Sequence, residues 1–134
     1  MQKWINEPES LDGYAGFVYQ ITNNITGQKY IGKKNFWSTT RKKVPGQKRR
    51  RVVVKESDWR RYKSSSKDVK ALIKKLGEDN FTFEIIHLCR TKTELTYMET
   101  LEQFNRDVLN SRRPDGEFEY YNENILSKFF RGRV

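Results

Sequence analysis

The sequence predicts an α+β domain with a small, mainly antiparallel three-stranded sheet flanked by helices. Three observations predict it. Residues 16–33 hold two short apolar runs, Phe17–Ile21 and Tyr30–Ile31, around Asn23-Asn24-Ile25-Thr26-Gly27-Gln28. Asn and Gly tolerate positive φ, so this stretch reads as a β-hairpin. Residues 80–89, NFTFEIIHLC, alternate apolar and polar and then run apolar, the pattern of a half- to fully buried strand. Two further stretches, 66–76 and 92–109, repeat apolar residues at helical spacing. At 134 residues the chain supports one hydrophobic core and reads as a single domain over 1–134.

Taken in order, residues 1–13 form a lead-in arm with Pro8, Asp12 and Gly13, which Trp4 and Ile5 can dock onto the body. The hairpin follows and carries one tyrosine on each arm, Tyr19 and Tyr30. Paired strands make such side chains neighbours when they share a face, although a strand tyrosine is ordinarily a packing aromatic with a polar tip. Glu56-Ser57-Asp58 leads into a short helix at Trp59–Tyr62. Ser64-Ser65-Ser66 then interrupts, offering an N-cap for the helix at 66–76. Val69, Leu72, Ile73 and Leu76 line one side of that helix, and Gly77 ends it. His87 in the third strand reads as structural, as does Cys89 at its end. A single cysteine rules out an internal disulfide and fits a reducing compartment. In the 92–109 helix Leu95, Met98, Leu101, Val108 and Leu109 give a core face. Glu99 falls at the edge of that stripe and Glu102 nearer its middle, where an acid must be paired, hydrogen-bonded or metal-bound. Asn110 to Gly116 is a loop, and an aromatic extended piece, an Ile125–Phe130 packing segment and a basic tail close the chain.

Charge narrows the partners. Twenty-seven Lys and Arg against 17 Asp and Glu leave a net +10, which argues for a polyanion, most often nucleic acid. Residues 41–55, RKKVPGQKRRRVVVK, hold eight of those cations and no acid, within a basic stretch at about 38–56. It reads as a solvated, mobile loop in the free protein, with Val52–Val54 able to form a short strand. On nucleic acid, Lys42, Lys43, Lys48, Arg49, Arg50, Arg51, Lys55 and the nearby Arg60 are the candidate phosphate contacts, each releasing a condensed counterion. A nuclear-localisation role draws on the same residues. No window nears the roughly 20 apolar residues of a membrane span. Met1-Gln2-Lys3 does not lead into a signal-peptide core, so the expected location is cytoplasmic.

One Cys and one His exclude zinc fingers and HNH-type nucleases, and there is neither a phosphate-binding G-x-x-x-x-G-K-[ST] loop nor a G-x-S-x-G elbow. Tyr, Glu, Arg and Lys remain. That set suits metal-assisted phosphodiester hydrolysis, with a carboxylate for a divalent cation and cations for phosphate charge.

Gly16-Phe17-Val18-Tyr19 and Tyr30-Ile31-Gly32, followed by Lys74–Phe81, Glu94-Leu95-Thr96-Tyr97-Met98-Glu99 and Tyr121-Asn122, resemble in order the elements of the GIY-YIG endonuclease family. Tyr30–Trp37 and Glu56–Ser66 look closest to small phage-encoded, homing-endonuclease-like members, which would place the protein in a host cytoplasm. The resemblance implies a metal-dependent DNA endonuclease. Tyr19 would be its general base or water positioner, and Tyr30 a hydrogen-bonding group near the scissile phosphate. Glu99 would hold one Mg²⁺ or Mn²⁺ per site, Lys33 would reach the phosphate, and Asn122 would hold the core or site together. A tyrosine acting as base near neutral pH needs a pKa well below about 10, toward which a metal and cationic surroundings push. The first motif departs from the family's, with Phe17-Val18 for Gly-Ile, and the basic stretch interrupts the region of the family's arginine. Arg41 is nearest in sequence and Arg61 is the better structural analogue; Glu102 is the runner-up to Glu99. The expected partner is double-stranded DNA, bound by a monomer or a homodimer, and a catalytically inactive basic binding module with the same fold is the alternative.

Overall fold

The computed structural model describes residues 3–49 and 51–134. Its strands are β1 (Trp4–Ile5), β2 (Gly16–Asn23), β3 (Lys29–Asn35), β4 (Trp37–Lys42), β5 (Arg51–Glu56), β6 (Phe81–Cys89), β7 (Asn124–Ile125) and β8 (Phe129–Phe130). The helices are α1 (Lys67–Leu76) and α2 (Lys92–Asn105), with 3-10 turns at Trp59–Arg61 and Glu78–Asn80. None of the described helices is long and apolar enough to cross a membrane.

The expected hairpin is β2 antiparallel to β3, and β6 pairs antiparallel on the other side of β2. The sheet has four strands rather than three, because β1 adds parallel to β6 with Trp4 opposite Phe83. Trp4 anchors that arm: it is buried, its ring stands edge-on to Phe17, Tyr19 and Phe83, and its Nε1 donates to the Trp59 carbonyl at 3.0 Å. Burying one such aromatic contributes about 2–3 kcal/mol, enough to hold two residues that show no strand periodicity.

Strand alternation sends Phe17, Tyr19 and Ile21 to one face, where Phe36, Trp59 and Val69 and Ile73 of α1 cover them. Val18 and Ile31 point to the other, under Leu95 of α2 with Val108, Leu109 and Tyr120. Both faces of β2 are therefore dry. Gly16 lets α2 approach, since a Cβ there would overlap the Leu95 side chain and the Lys34 carbonyl. Ser66 and Thr91 cap α1 and α2 by accepting from Val69 and Glu94 N–H.

α2 stops at Asn105 rather than 109. Asp107 takes a left-handed φ of 48°, which turns Val108 and Leu109 into the core as a short irregular segment. Leu101, expected in the core, is exposed, whereas Gln103 is buried.

The basic stretch is not a loop over most of its length. Among the described residues β4 and β5 form an antiparallel arm paired only with each other, and both of its faces are largely exposed. Pro45-Gly46 makes its turn, with Gly46 at φ 81° and Gln47 N–H bonded to the Val44 carbonyl.

Candidate active site

Tyr19 and Tyr30 lie on the same sheet face with ring centroids 6.2 Å apart. Gly32 stands directly across from Tyr19, whose ring lies against it; a Cβ at Gly32 would overlap the Tyr19 ring and hydroxyl. The glycine of the Tyr-Ile-Gly run is thus a steric requirement of the tyrosine pair. Tyr62 closes over Tyr19 edge-on at 5.9 Å.

The two phenols differ. Tyr19 is fully buried, and burial first, then Tyr30 and Tyr62, pushes its pKa well above the ordinary value. Tyr30 is only partly buried and its Oη lies 3.1 Å from Ser65 Oγ. Burial raises its pKa too, opposed by the Ser65 hydrogen bond and reinforced by the Glu99 carboxylate. Both phenols are therefore neutral near pH 7. Such groups donate hydrogen bonds to an anion or water more readily than they accept protons.

β3 is an edge strand, and the site wraps around that edge. Tyr30 lies on one face of it. Lys33 lies on the other, bonded through Nζ to Thr96 Oγ1 of α2 at 2.8 Å. Glu99, one turn further along α2, is partly buried; burial pushes its pKa up and Lys33 opposes that. Among the described residues no hydrogen bond or ion pair satisfies its carboxylate. Glu102 is the opposite case. Burial works against its charge, but hydrogen bonds from Arg106 Nε and His87 Nε2, each 2.8 Å, outweigh that and hold it below the usual carboxylate range. Arg106 also bonds to Gln20 at 2.6 Å, so Glu102 is spent on bracing α2 against β2 and β6.

The unsatisfied carboxylate suits a cation. No group of three or more His, Cys, Asp or Glu is gathered among the described residues, so any cation here would draw few ligands from protein side chains. Mg²⁺ accepts this readily, because it keeps several waters and is completed by substrate phosphate oxygens.

Asn122 is buried and acts on backbone. Its Nδ2 donates to the Ile31 carbonyl at 2.8 Å and its Oδ1 accepts from the Ile31 N–H at 3.1 Å; Gln103 Nε2 donates to the same carbonyl. These bonds satisfy the free edge of β3 between Tyr30 and Gly32.

A cleft of about 810 Å³ runs from Lys33 and Lys34 past Arg61 and Tyr62 to the base of the arm at Trp37 and Lys55. Arg61 lines it and Arg41 does not; Arg41 sits further out on β4, opposite Val52. Lys42, Lys43, Lys48, Arg49, Arg51 and Lys55 are exposed along the arm, while Arg50 lies outside the described residues. Arg60 is drawn to Glu7 and Glu56 at 3.7 Å and lies over the Trp59 ring, so it braces the arm's base.

Four neighbours of the site were invisible to pattern reading. Lys34 contacts Asp58 at 2.8 Å and lies over the Tyr62 ring. Tyr62 reads as one end of a short helix and Ser65 as part of a break. Ser64, buried at a left-handed φ of 104°, bends the chain so that Ser65 reaches Tyr30. The triple-serine run was their only signal.

A family model described as "Putative endonuclease segE, GIY-YIG domain" matches residues 2–125, which takes in the hairpin, the arm, both helices and Asn122. No curated protein and no solved structure matches the chain. With the tyrosine pair, the edge-bound glutamate and the clamping asparagine all within that match, the chain belongs to the GIY-YIG endonuclease family and is a phosphodiester-hydrolysing nuclease.

Proposed function

We propose that this nuclease is a divalent-metal-dependent endonuclease of double-stranded DNA, a single domain with a basic insertion at about 38–56. It acts with one Mg²⁺ or Mn²⁺ per site, held by Glu99. The observation that carries this is the contrast on α2: Glu102 is fully satisfied, whereas Glu99 is desolvated and unpaired beside Tyr30 and Lys33. A bound divalent cation supplies Lewis-acid polarisation of the phosphate and charge stabilisation on the departing oxygen. Tyr30, oriented by Ser65, donates to a phosphate oxygen or holds the attacking water. Tyr19 keeps the Tyr30 ring and Gly32 in register from beneath, and its burial favours this positioning role over that of a general base. Lys33 and Arg61 face the phosphate from the cleft; Arg61 is chosen over Arg41 because it alone lines that cleft. Asn122 fixes the backbone between Tyr30 and Gly32. The cations of the arm hold neighbouring backbone phosphates.

The test is cleavage of supercoiled plasmid with Mg²⁺, with EDTA, and with Glu99→Ala or Glu99→Gln. Nicking should fall by about 100-fold or more in either variant, with DNA affinity changed little. Full nicking in both variants would remove Glu99 from the site, and intact plasmid with the native chain would favour the binding module.

A further inference from the structure

The arm of β4 and β5 has two unlike faces. Residues paired directly across an antiparallel ladder share a face, and successive rungs alternate. The rungs Thr39–Val54 and Arg41–Val52 therefore share one face, and Ser38–Lys55, Thr40–Val53 and Lys42–Arg51 share the other. Beyond the Trp37–Glu56 rung at the arm's base, which shares it, the first face holds methyl groups and one guanidinium. Val52 is 54% and Val54 60% exposed, an apolar surface that none of the described residues covers. Lys42, Arg51 and Lys55 lie on the second face and Lys43, Lys48 and Arg49 at the tip, and no acid occurs between Arg41 and Lys55.

We infer that the arm enters the major groove of duplex DNA as a two-stranded ribbon and reads base edges through Arg41, Thr39, Val52 and Val54. This deepens, and rests on, the proposed action on double-stranded DNA. The fit has three parts. A two-stranded ribbon, its strands about 4.8 Å apart, is an element that the roughly 12 Å major groove admits. The face chemistry matches the groove floor: a guanidinium pairs with guanine O6 and N7, and Val and Thr methyls pack against thymine methyl groups. The long side chains of Lys42, Arg51 and Lys55, with Lys43, Lys48 and Arg49 at the tip, reach the phosphate walls, so the charge is complementary to the same occupant. The arm is also continuous with the cleft at its base. From Trp37 to Arg41 is four residues, about 13 Å, or about four base pairs of duplex. Arg41 is thereby a specificity-determining residue, apart from the cleft's chemistry.

The experiment is dimethyl sulfate interference, scored by binding without metal so that no cleavage is needed. Duplexes selected from a randomised pool by the native chain are methylated at guanine N7, in the major groove, and binding of the native chain is compared with Arg41→Ala. The expected result is a guanine, about three to six base pairs from the nick mapped separately, whose methylation blocks the native chain but not the variant. Arg41→Ala should also lose about 5- to 150-fold in discrimination at that base pair. Arg49→Ala should weaken all duplexes alike. Absence of N7 interference, or interference equal in Arg41→Ala, overturns the inference. So does a dimer that becomes monomeric in Val52→Ser/Val54→Ser with interference unchanged, since the face would then meet a second copy. Interference without any nicking would preserve the groove-reading arm and fail the proposed enzyme reading instead.

Discussion

The tyrosine corner on β2 and β3 and the basic arm of β4 and β5 are held in opposite ways. In the corner each group is tied to another element: Tyr19 packs on Gly32 and Tyr62, Tyr30 bonds to Ser65, and the Ile31 backbone is held by the buried Asn122 and Gln103. In the arm the strands hold only each other, and their side chains face water. A hydrolytic site needs groups fixed to fractions of an ångström before substrate arrives, whereas phosphate attraction acts over about a Debye length and tolerates mobile cations. The corner consequently couples function to folding, and the arm is free to change binding without changing stability.

Breaking the corner should show the largest effect. Gly32→Ala forces a Cβ into the Tyr19 ring and is expected to cost about 3 kcal/mol in urea unfolding. A variant as stable as the native chain would refute the steric role. Asn122→Ala leaves the Ile31 N–H without a partner while Gln103 still serves the carbonyl, and should cost about 2 kcal/mol by the same measurement. The smallest stability effect is expected in the arm: Lys42, Lys48, Arg49 and Arg51 changed together to Ala should shift unfolding by no more than about 0.5 kcal/mol. The same change should flatten the dependence of log affinity on log salt by about 2 to 4. An unchanged slope would take the arm out of the DNA interface, and a large loss of stability would erase the contrast itself.

The legible parts of the molecule were those with local signals. Turn formers between alternating strands marked the hairpin, Ser66 and Gly77 bounded α1 closely, and Pro45-Gly46 marked the turn of the arm. The end of α2 was misplaced because Val108 and Leu109 keep helical spacing after the backbone has left the helix at Asp107. β1 was too short to carry a period, and its pairing depends on where Trp4 finds a pocket. The site was half visible. The tyrosines and the glutamate helix could be read, but Tyr62, Ser65 and Lys34 reach the site only through the bend at Ser64 and the packing of Trp59.

The sequence by itself determined the strand and helix inventory, the excess positive charge and its concentration in 41–55, and the residue types available for chemistry. These follow from periodicity, turn chemistry and composition, which act between near neighbours. Only the tertiary structure gave Glu99 and Glu102 different surroundings and distinguished Arg61 from Arg41 by place. Three residues separate the two acids, yet His87 and Arg106 satisfy one while the other is left desolvated beside Tyr30. Arg41 is nearer to Tyr30 along the chain, but β4 carries it away along the arm while the turn at Trp59–Arg61 brings Arg61 back to the cleft. Desolvation and pairing depend on which groups meet across elements, and sequence separation does not encode that.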